Sequence, residues 1–343
     1  SSDRTSDKQI SGTHGIGVLM ANSLMFQRFP DHNGYDDPQF SSFYGQTLPL
    51  LKRGIPVELV HMENTPFKDT FNGLQVLVMS YSNMKPMKSE YHNYLADWVK
   101  KGGTLVYCGE DVDPYQTVLE WWNTAGNAYK APSEHLFEAM GLSRNPGDGT
   151  YRFGKGTVIV MREDPKHFVL KGGNDRKYFE TIVSAYESKT GKKIEIKNNF
   201  MVERGPYTIA AVMDESSSKE PLKLSGLYID LFDKDLPVLT VKQINPGEQG
   251  YLYDLNKVLG KVKAKVLCGA SRIYDEKVGK QSYSFVAKSP LHTTNVSRVL
   301  LPRKPGKVLV NGKAEQPEWD ESSKTLLLSF ENDPAGVNVS IEW

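Results

Sequence analysis

Cysteine is nearly absent from this 343-residue chain, which holds only Cys108 and Cys268. Two thiols so far apart build no disulfide framework and offer no CxxC metal spacing, so two buried, reduced thiols are the expectation. Excess charge is missing too. Lysine and arginine number 42 against 41 aspartates and glutamates, a formal net charge of +1, which leaves no polybasic surface for nucleic acid or anionic lipid. No apolar run approaches the roughly 20 residues that span a bilayer. The seven histidines lack H-x-x-x-H spacing and propose no zinc site. Gly154-Lys155-Gly156 is too short for a phosphate-binding loop and reads as a hairpin turn. No cofactor or metal is implied. The chain opens on polar Ser1-Ser2-Asp3-Arg4 without an initiator Met, which predicts a processed protein or the later part of a longer one, its address carried upstream.

What is present is a βα alternation followed by a change of period. Gly15 to Met20 is a short apolar run suited to a buried parallel strand. A breaker-rich, aromatic loop follows from Phe26 to Phe43, and long loops in compact domains are often functional. Tyr44 to Arg53 reads as a helix closed by Gly54, and Pro56 to Val60 as a second strand. Leu74 to Met79 supplies a third strand. Pro86 then introduces a helix with Tyr91, Tyr94, Leu95, Trp98 and Val99 at helical spacing, stopped by Gly102-Gly103, and Thr104 to Tyr107 forms a fourth strand. The alternation predicts a parallel sheet with right-handed crossovers. Asp113-Pro114 looks like an N-cap and first helical proline for a helix through Trp122. Further helices fit Pro132–Met140 and Asp175–Lys189, around a returning strand at Gly156–Met161.

Beyond about residue 195 short strands separated by turn clusters dominate. Candidates are 201–204, 207–213, 222–228, 238–244, 249–255, 265–273, 282–287, 296–301, 307–310, 325–330 and 337–343. The expected organisation is an α/β domain over 1–195 and a β-sandwich region over 196–343, with a split near Pro290 into two subdomains left open. The acid-rich "YIDLFDKDLP" around Asp230, Asp233 and Asp235 lacks the EF-hand frame and reads as a solvated turn. Sequons at Asn295 and Asn338 matter only on a eukaryotic secretory route.

The stretch from Tyr44 to Asp113, with "LPLLKRGIPVELVHMEN" and "LQVLVMSYSNMKPMKSEYHNYLADWVKKGGTLVYCGED", resembles the trimerisation domain of A-type β-galactosidases, glycoside hydrolase family 42. The closing "KVLVNGKAEQPEWDESSKTLLLSFENDPAGVNVSIEW" looks like the terminal β-sandwich of many glycosidases. The resemblance implies an amidotransferase-like (flavodoxin-like) parallel sheet domain that follows a catalytic barrel and precedes a small β-domain. It further implies an upstream catalytic domain and a homo-oligomer as partners, and a periplasmic or extracellular location if the parent is a bacterial glycosidase. No motif with a catalytic role is matched, so no active-site residue is carried over.

The fourth strand ends in Val106-Tyr107-Cys108-Gly109-Glu110-Asp111, at the sheet edge where open α/β folds bind ligands. A working amidotransferase cysteine sits in G-x-C-x-G on a sharp elbow. Here Val106 and Glu110 replace the glycines, and neither His135 nor His167 begins the His-x-Glu pair that would raise the thiolate fraction. Cys108 therefore reads as a small buried hydrophobe. Glu110, Asp111 and Asp113 are the acids that glycoside hydrolysis would draw on, although adjacency does not make a catalytic pair. Asp111, Asp113, Tyr115, Trp121 and Trp122 form the alternative, a platform for the apolar face and hydroxyls of a sugar. Core packing for one tryptophan and subunit contact for the other is the plainer reading. Taken together, the residues and the resemblance predict a non-catalytic C-terminal portion of a larger glycoside hydrolase. The alternative is a stand-alone hydrolase or carbohydrate-binding protein using the strand-end pocket around Cys108, Asp111 and Trp121.

Overall fold

The computed structural model describes residues 8–26, 40–170 and 174–343. Most of the loop expected between Phe26 and Phe43 lies outside the described residues. The chain divides into an α/β unit, residues 11–200 with 215–218, and a β-rich unit that takes in 201–214 and 219–343 together with the N-terminal strand β1 (Lys8–Ile10).

In the α/β unit the order is β2 (Ile16–Met20), α1 (Ser41–Leu51), β3 (Glu58–His61), β4 (Val76–Met79), α2 (Tyr91–Lys100) and β5 (Thr104–Cys108). Then come α3 (Pro132–Ala139), β6 (Gly149–Phe153), β7 (Gly156–Met161), α4 (His167–Leu170) and α5 (Arg176–Thr190). They build one six-stranded sheet in the order β3-β2-β4-β5-β7-β6. All neighbours run parallel except β6 against β7, whose turn is Gly154-Lys155. Strand side chains alternate between two buried faces, so apolar residues of opposite parity fill two separate cores. Leu19, Leu77, Leu105, Tyr107 and Val158 pack with Tyr91, Leu95 and Val99 of α2 and with Leu136 and Phe137 of α3. Val18, Val76, Val106 and Cys108 pack with Leu50 of α1 and with Tyr178, Phe179 and Ile182 of α5. Gly191 ends α5 in the left-handed conformation, φ 68°, as a C-cap.

Two local expectations are corrected. Pro114–Thr117 is a single 3₁₀ turn rather than a helix reaching Trp122, although Asp113 does cap it by accepting from the Tyr115 N–H at 3.0 Å. Tyr94 of α2 points to solvent, and the buried stripe is instead Tyr91, His92, Leu95, Ala96 and Val99.

The β-rich unit contains all but the first two residues of β8 (Asn199–Arg204), together with β9 (Tyr207–Val212), β10 (Leu222–Asp230), β11 (Val238–Ile244) and β12 (Gln249–Asp254), which with β1 form a sheet ordered β1-β8-β9-β12-β10-β11. The remaining strands are β13 (Lys265–Gly269), β14 (Arg272–Val278), β15 (Ser282–Lys288), β16 (Thr294–Leu300), β17 (Lys307–Val310), β18 (Lys313–Glu315), β19 (Glu318–Asp320), β20 (Thr325–Glu331) and β21 (Val337–Glu342). They form two sheets, β13-β16-β20-β19 and β14-β15-β21-β17-β18. Tyr283, Phe285, Val299, Leu326, Val339 and Ile341 fill the core between them, so this part is a sandwich of antiparallel sheets. Strands from both sides of Pro290 share each sheet, β13 with β16 and β15 with β21, so the split considered near residue 290 falls inside the sandwich. The run expected as one strand over 265–273 is two, divided at Ala270-Ser271 and placed in different sheets. Asn295, one of the two sequon residues, is fully buried: its Nδ2 donates to Ser271 Oγ at 2.7 Å and its Oδ1 accepts from Ser297 Oγ at 2.6 Å.

Gly156 opens β7 beneath the C-terminal turn of α2, where a Cβ would stand 2.0 Å from the Val99 carbonyl oxygen and 2.4 Å from that of Gly103. Both obstacles are backbone and neither rotates away. Gly156→Ala is expected to cost about 1–3 kcal/mol or more, read as a lower midpoint in urea with an unchanged m-value.

Candidate functional site

The carboxyl edge of the parallel sheet gathers the residues on which sequence reasoning focused. Cys108 ends β5 on the face covered by α1 and α5 and is fully buried. Burial pushes its thiol well above the ordinary value, and the carboxylates of Glu163, Asp164 and Asp148 add to the rise. A thiol held in that form is a poor nucleophile.

Asp111 follows at φ 60°, a left-handed conformation that aspartate tolerates better than most residues. Its Oδ1 accepts from the Tyr107 hydroxyl, and its Oδ2 accepts from Ser133 Oγ at 2.7 Å and from Arg162 Nη1 at 2.7 Å. Arg162 also donates to the Gly109 carbonyl at 3.3 Å and through Nε to that of Pro146 at 2.9 Å, and lies over the Phe137 ring at 5.1 Å. The carboxylate thus ties β5, α3 and the segment after β7 together.

Asp113 is bound as fully. Lys85 Nζ donates to its two oxygens at 3.0 and 2.8 Å, Gln116 Nε2 donates at 2.9 Å, and the Tyr115 N–H supplies the cap. Both side chains of the Lys85–Asp113 pair are buried, so removing one partner would strand a charge in a poorly solvated site. Glu110, by contrast, is exposed.

Of the sugar-platform residues, Tyr115 and Trp122 are buried, and Trp122 Nε1 donates to the Gln116 carbonyl at 2.9 Å. Trp121 is half-buried. Its Nε1 donates to the Pro86 carbonyl at 2.8 Å and its ring stands edge-on to His92, His135 and Trp122. Trp122 is therefore the core tryptophan of the two. The carboxylates accept from Tyr107, Ser133, Arg162, Lys85 and Gln116, and the two indole N–H groups donate to backbone carbonyls, so the polar atoms of both sets are taken up within the protein.

Two groups went unnoticed in the sequence. His92, fully buried on α2, is hydrogen-bonded through Nε2 to the Tyr81 hydroxyl at 2.6 Å and through Nδ1 to His135 Nδ1 at 2.8 Å. Only one proton fits between the two Nδ1 atoms, so one ring donates and the other accepts. Burial, and then the neighbouring His135, hold His92 well below the ordinary histidine value; burial lowers His135 as well. The signal was its place three residues before Leu95 on the apolar stripe of α2. The second group centres on Asp164, which accepts from Ser42 Oγ at 3.1 Å and from the Lys166 N–H at 3.2 Å, while Asn83 Nδ2 donates to Ser42 Oγ at 3.2 Å. Burial dominates there and raises the Asp164 carboxyl above its usual range. Among the described residues no cluster of three or more histidines, cysteines or acids is arranged to hold a metal ion.

No protein-family model matches the chain, and no curated protein matches it. Solved structures similar to it include a catalytic mutant of the GH42 β-galactosidase Gan42B from G. stearothermophilus, at 12% identity over 71% of this chain and 40% of that one, with a TM-score of 0.43. The β-galactosidase from Bacillus circulans sp. alkalophilus aligns at 10% identity over 71% of this chain and 42% of its own, TM-score 0.43. The β-galactosidase from the haloarchaeon Halorubrum lacusprofundi aligns at 14% identity over 71% and 40%, TM-score 0.39. This chain spans about 40% of the length of these enzymes.

Two predictions follow from the edge itself. Lys85→Met leaves Asp113 without its cation and is expected to cost about 3–5 kcal/mol in urea unfolding, whereas Glu110→Gln changes stability by less than about 0.5 kcal/mol. His92 is depressed in the folded state, so the unfolded chain binds more protons below its ordinary pKa. Stability from this group is complete above about pH 6.5 and is lost as the pH falls from there. Unfolding midpoints measured across that range should slope less steeply in His92→Gln than in the parent chain.

Proposed function

We propose that this chain is a non-catalytic portion of a larger glycoside hydrolase of the β-galactosidase type, serving assembly or the shaping of another domain's pocket. In this reading the α/β unit is an amidotransferase-like, flavodoxin-like domain that has kept the sheet and lost the chemistry. The observation that carries it is the state of the strand-end edge. Cys108 is buried, with its thiol pKa raised by desolvation. Asp111 and Asp113 are occupied by Tyr107, Ser133, Arg162, Lys85 and Gln116.

An edge committed in this way has little left to offer a substrate. A retaining or inverting glycosidase needs two carboxyl groups facing the same bond, one of them able to hold and release a proton. The resemblance of residues 44–113 to a trimerisation domain, and of 307–343 to a terminal glycosidase sandwich, supports a structural part in a larger enzyme. The order of an α/β unit followed by β-rich structure supports it as well.

Light scattering on the purified chain tests assembly. A mass at a multiple of 38.5 kDa supports it, and a strict monomer at every concentration removes that role for the chain by itself. Hydrolysis is tested separately with aryl-galactoside and amide substrates. The expected outcome is no turnover, and any turnover abolished by Cys108→Ala or Asp111→Asn in a folded variant would overturn the non-catalytic reading.

A further inference from the structure

The β-rich unit contains a cleft of about 1220 Å³ between its six-stranded sheet and the outer face of the sandwich sheet that holds β13. The first wall is aromatic because of strand register. Tyr207 and Ile209 of β9 stand opposite Tyr253 and Tyr251 of β12, which puts all four on one face of the sheet. Tyr253 is buried in the core at the inner end, while Tyr207 and Tyr251 remain half-exposed. Their ring centroids lie 5.7 Å apart at 31°. Phe232, on the turn after β10, lines the adjoining groove, which shares Asp233 and Lys234 with the cleft; it is 61% exposed and places its centroid 5.8 Å from that of Tyr251. A phenylalanine this open beside two half-open tyrosines is a surface held ready rather than a core residue.

The polar groups around these rings narrow the class of ligand. Neither Tyr207 nor Tyr251 uses its hydroxyl in a hydrogen bond among the described residues, so both are free to donate and accept. Ser271, Thr294 and Ser329 line the same space. Its charged residues balance: Asp233, Asp235 and Glu276 against Lys234, Lys265 and Arg272. A balanced rim has no field to draw in a polyanion or a polycation. The volume exceeds the roughly 300–1,000 Å³ of a typical small-molecule site. A ligand that suits these features is uncharged, has several units, and carries flat apolar faces edged with hydroxyl groups.

We infer that this cleft and the groove adjoining it bind a short neutral oligosaccharide, whose sugar rings lie against Tyr207 and Tyr251 in the cleft and Phe232 in the groove while its hydroxyls meet the surrounding polar side chains. The site is separate from the carboxyl edge of the α/β unit and does not depend on the scaffold role proposed above, since it would serve a monomer or an oligomer equally. Stacking supplies affinity through the C–H face of the sugar, and the two phenol groups give orientation.

Isothermal titration of the full chain with cellohexaose, xylohexaose, mannohexaose, maltohexaose and galactohexaose tests it, with an oligogalacturonate hexamer as the anionic comparator. At least one neutral hexamer should bind at a single site. Tyr251→Ala and Phe232→Ala should each weaken that binding by about tenfold or more, with unchanged thermal melting for the exposed Phe232 variant. Trp121→Ala, in the other unit, should leave affinity unaltered, and raising salt to about 0.5 M should change it by less than about twofold. Failure of all five neutral hexamers to bind overturns the inference. So does binding that survives both aromatic substitutions, or binding confined to the anionic hexamer and lost with salt.

Discussion

The parity of a single buried strand decides what the most suggestive part of this molecule can do. β5 is covered on both faces, so every residue from Leu105 to Cys108 enters one of two cores. Odd positions, Leu105 and Tyr107, turn toward α2 and α3; even positions, Val106 and Cys108, turn toward α1 and α5. A shift of one residue would exchange the two sets. Because Cys108 shares its parity with Val106, its sulfur joins the core of Tyr178 and Ile182 and is fully buried. Because Tyr107 has the opposite parity, its ring packs with Phe137 while its hydroxyl reaches Asp111.

The polar edge above that strand follows from the same constraint. Strand ends expose backbone and side-chain groups that a covered sheet cannot leave dry, so carboxylates there must be paired or solvated. Arg162 and Lys85 do the pairing, each from an element distant in sequence, and in doing so they fix the loops after β4, β5 and β7 against one another. The arrangement stabilises position more than energy: a buried ion pair gains little over a well-packed apolar substitute, yet losing one member is costly.

Much of the α/β layer was legible because it is written in local signals. The apolar runs at 16–20, 76–79 and 104–108, the Gly102-Gly103 stop and the Gly191 cap each act within a few residues of where they stand. What escaped was non-local or ambiguous in period. The Lys85–Asp113 and Arg162–Asp111 pairs join residues that no spacing rule relates. His92 lies on the buried stripe of α2, whereas the i, i+3, i+4 spacing from Tyr91 equally admits Tyr94, which is exposed. The run over 265–273 has the composition of one long strand, and only the packing of two sheets demands that it change layers at Ala270-Ser271. At the candidate edge the hydrogen bonds that commit Asp111 and Asp113 to their neighbours join residues no spacing rule relates.

Asn295 carries a consequence for how the protein can be made. Its amide is enclosed by Ser271 and Ser297 within the sandwich, yet its Asn-Val-Ser context is a substrate for oligosaccharyl transfer, which acts on the nascent chain before strands pair. A glycan added there would occupy the place of the neighbouring strands and keep β16 from entering its sheet. A host that decorates sequons as they emerge would therefore spoil the sandwich from within, whereas one without that machinery leaves the strand free to close.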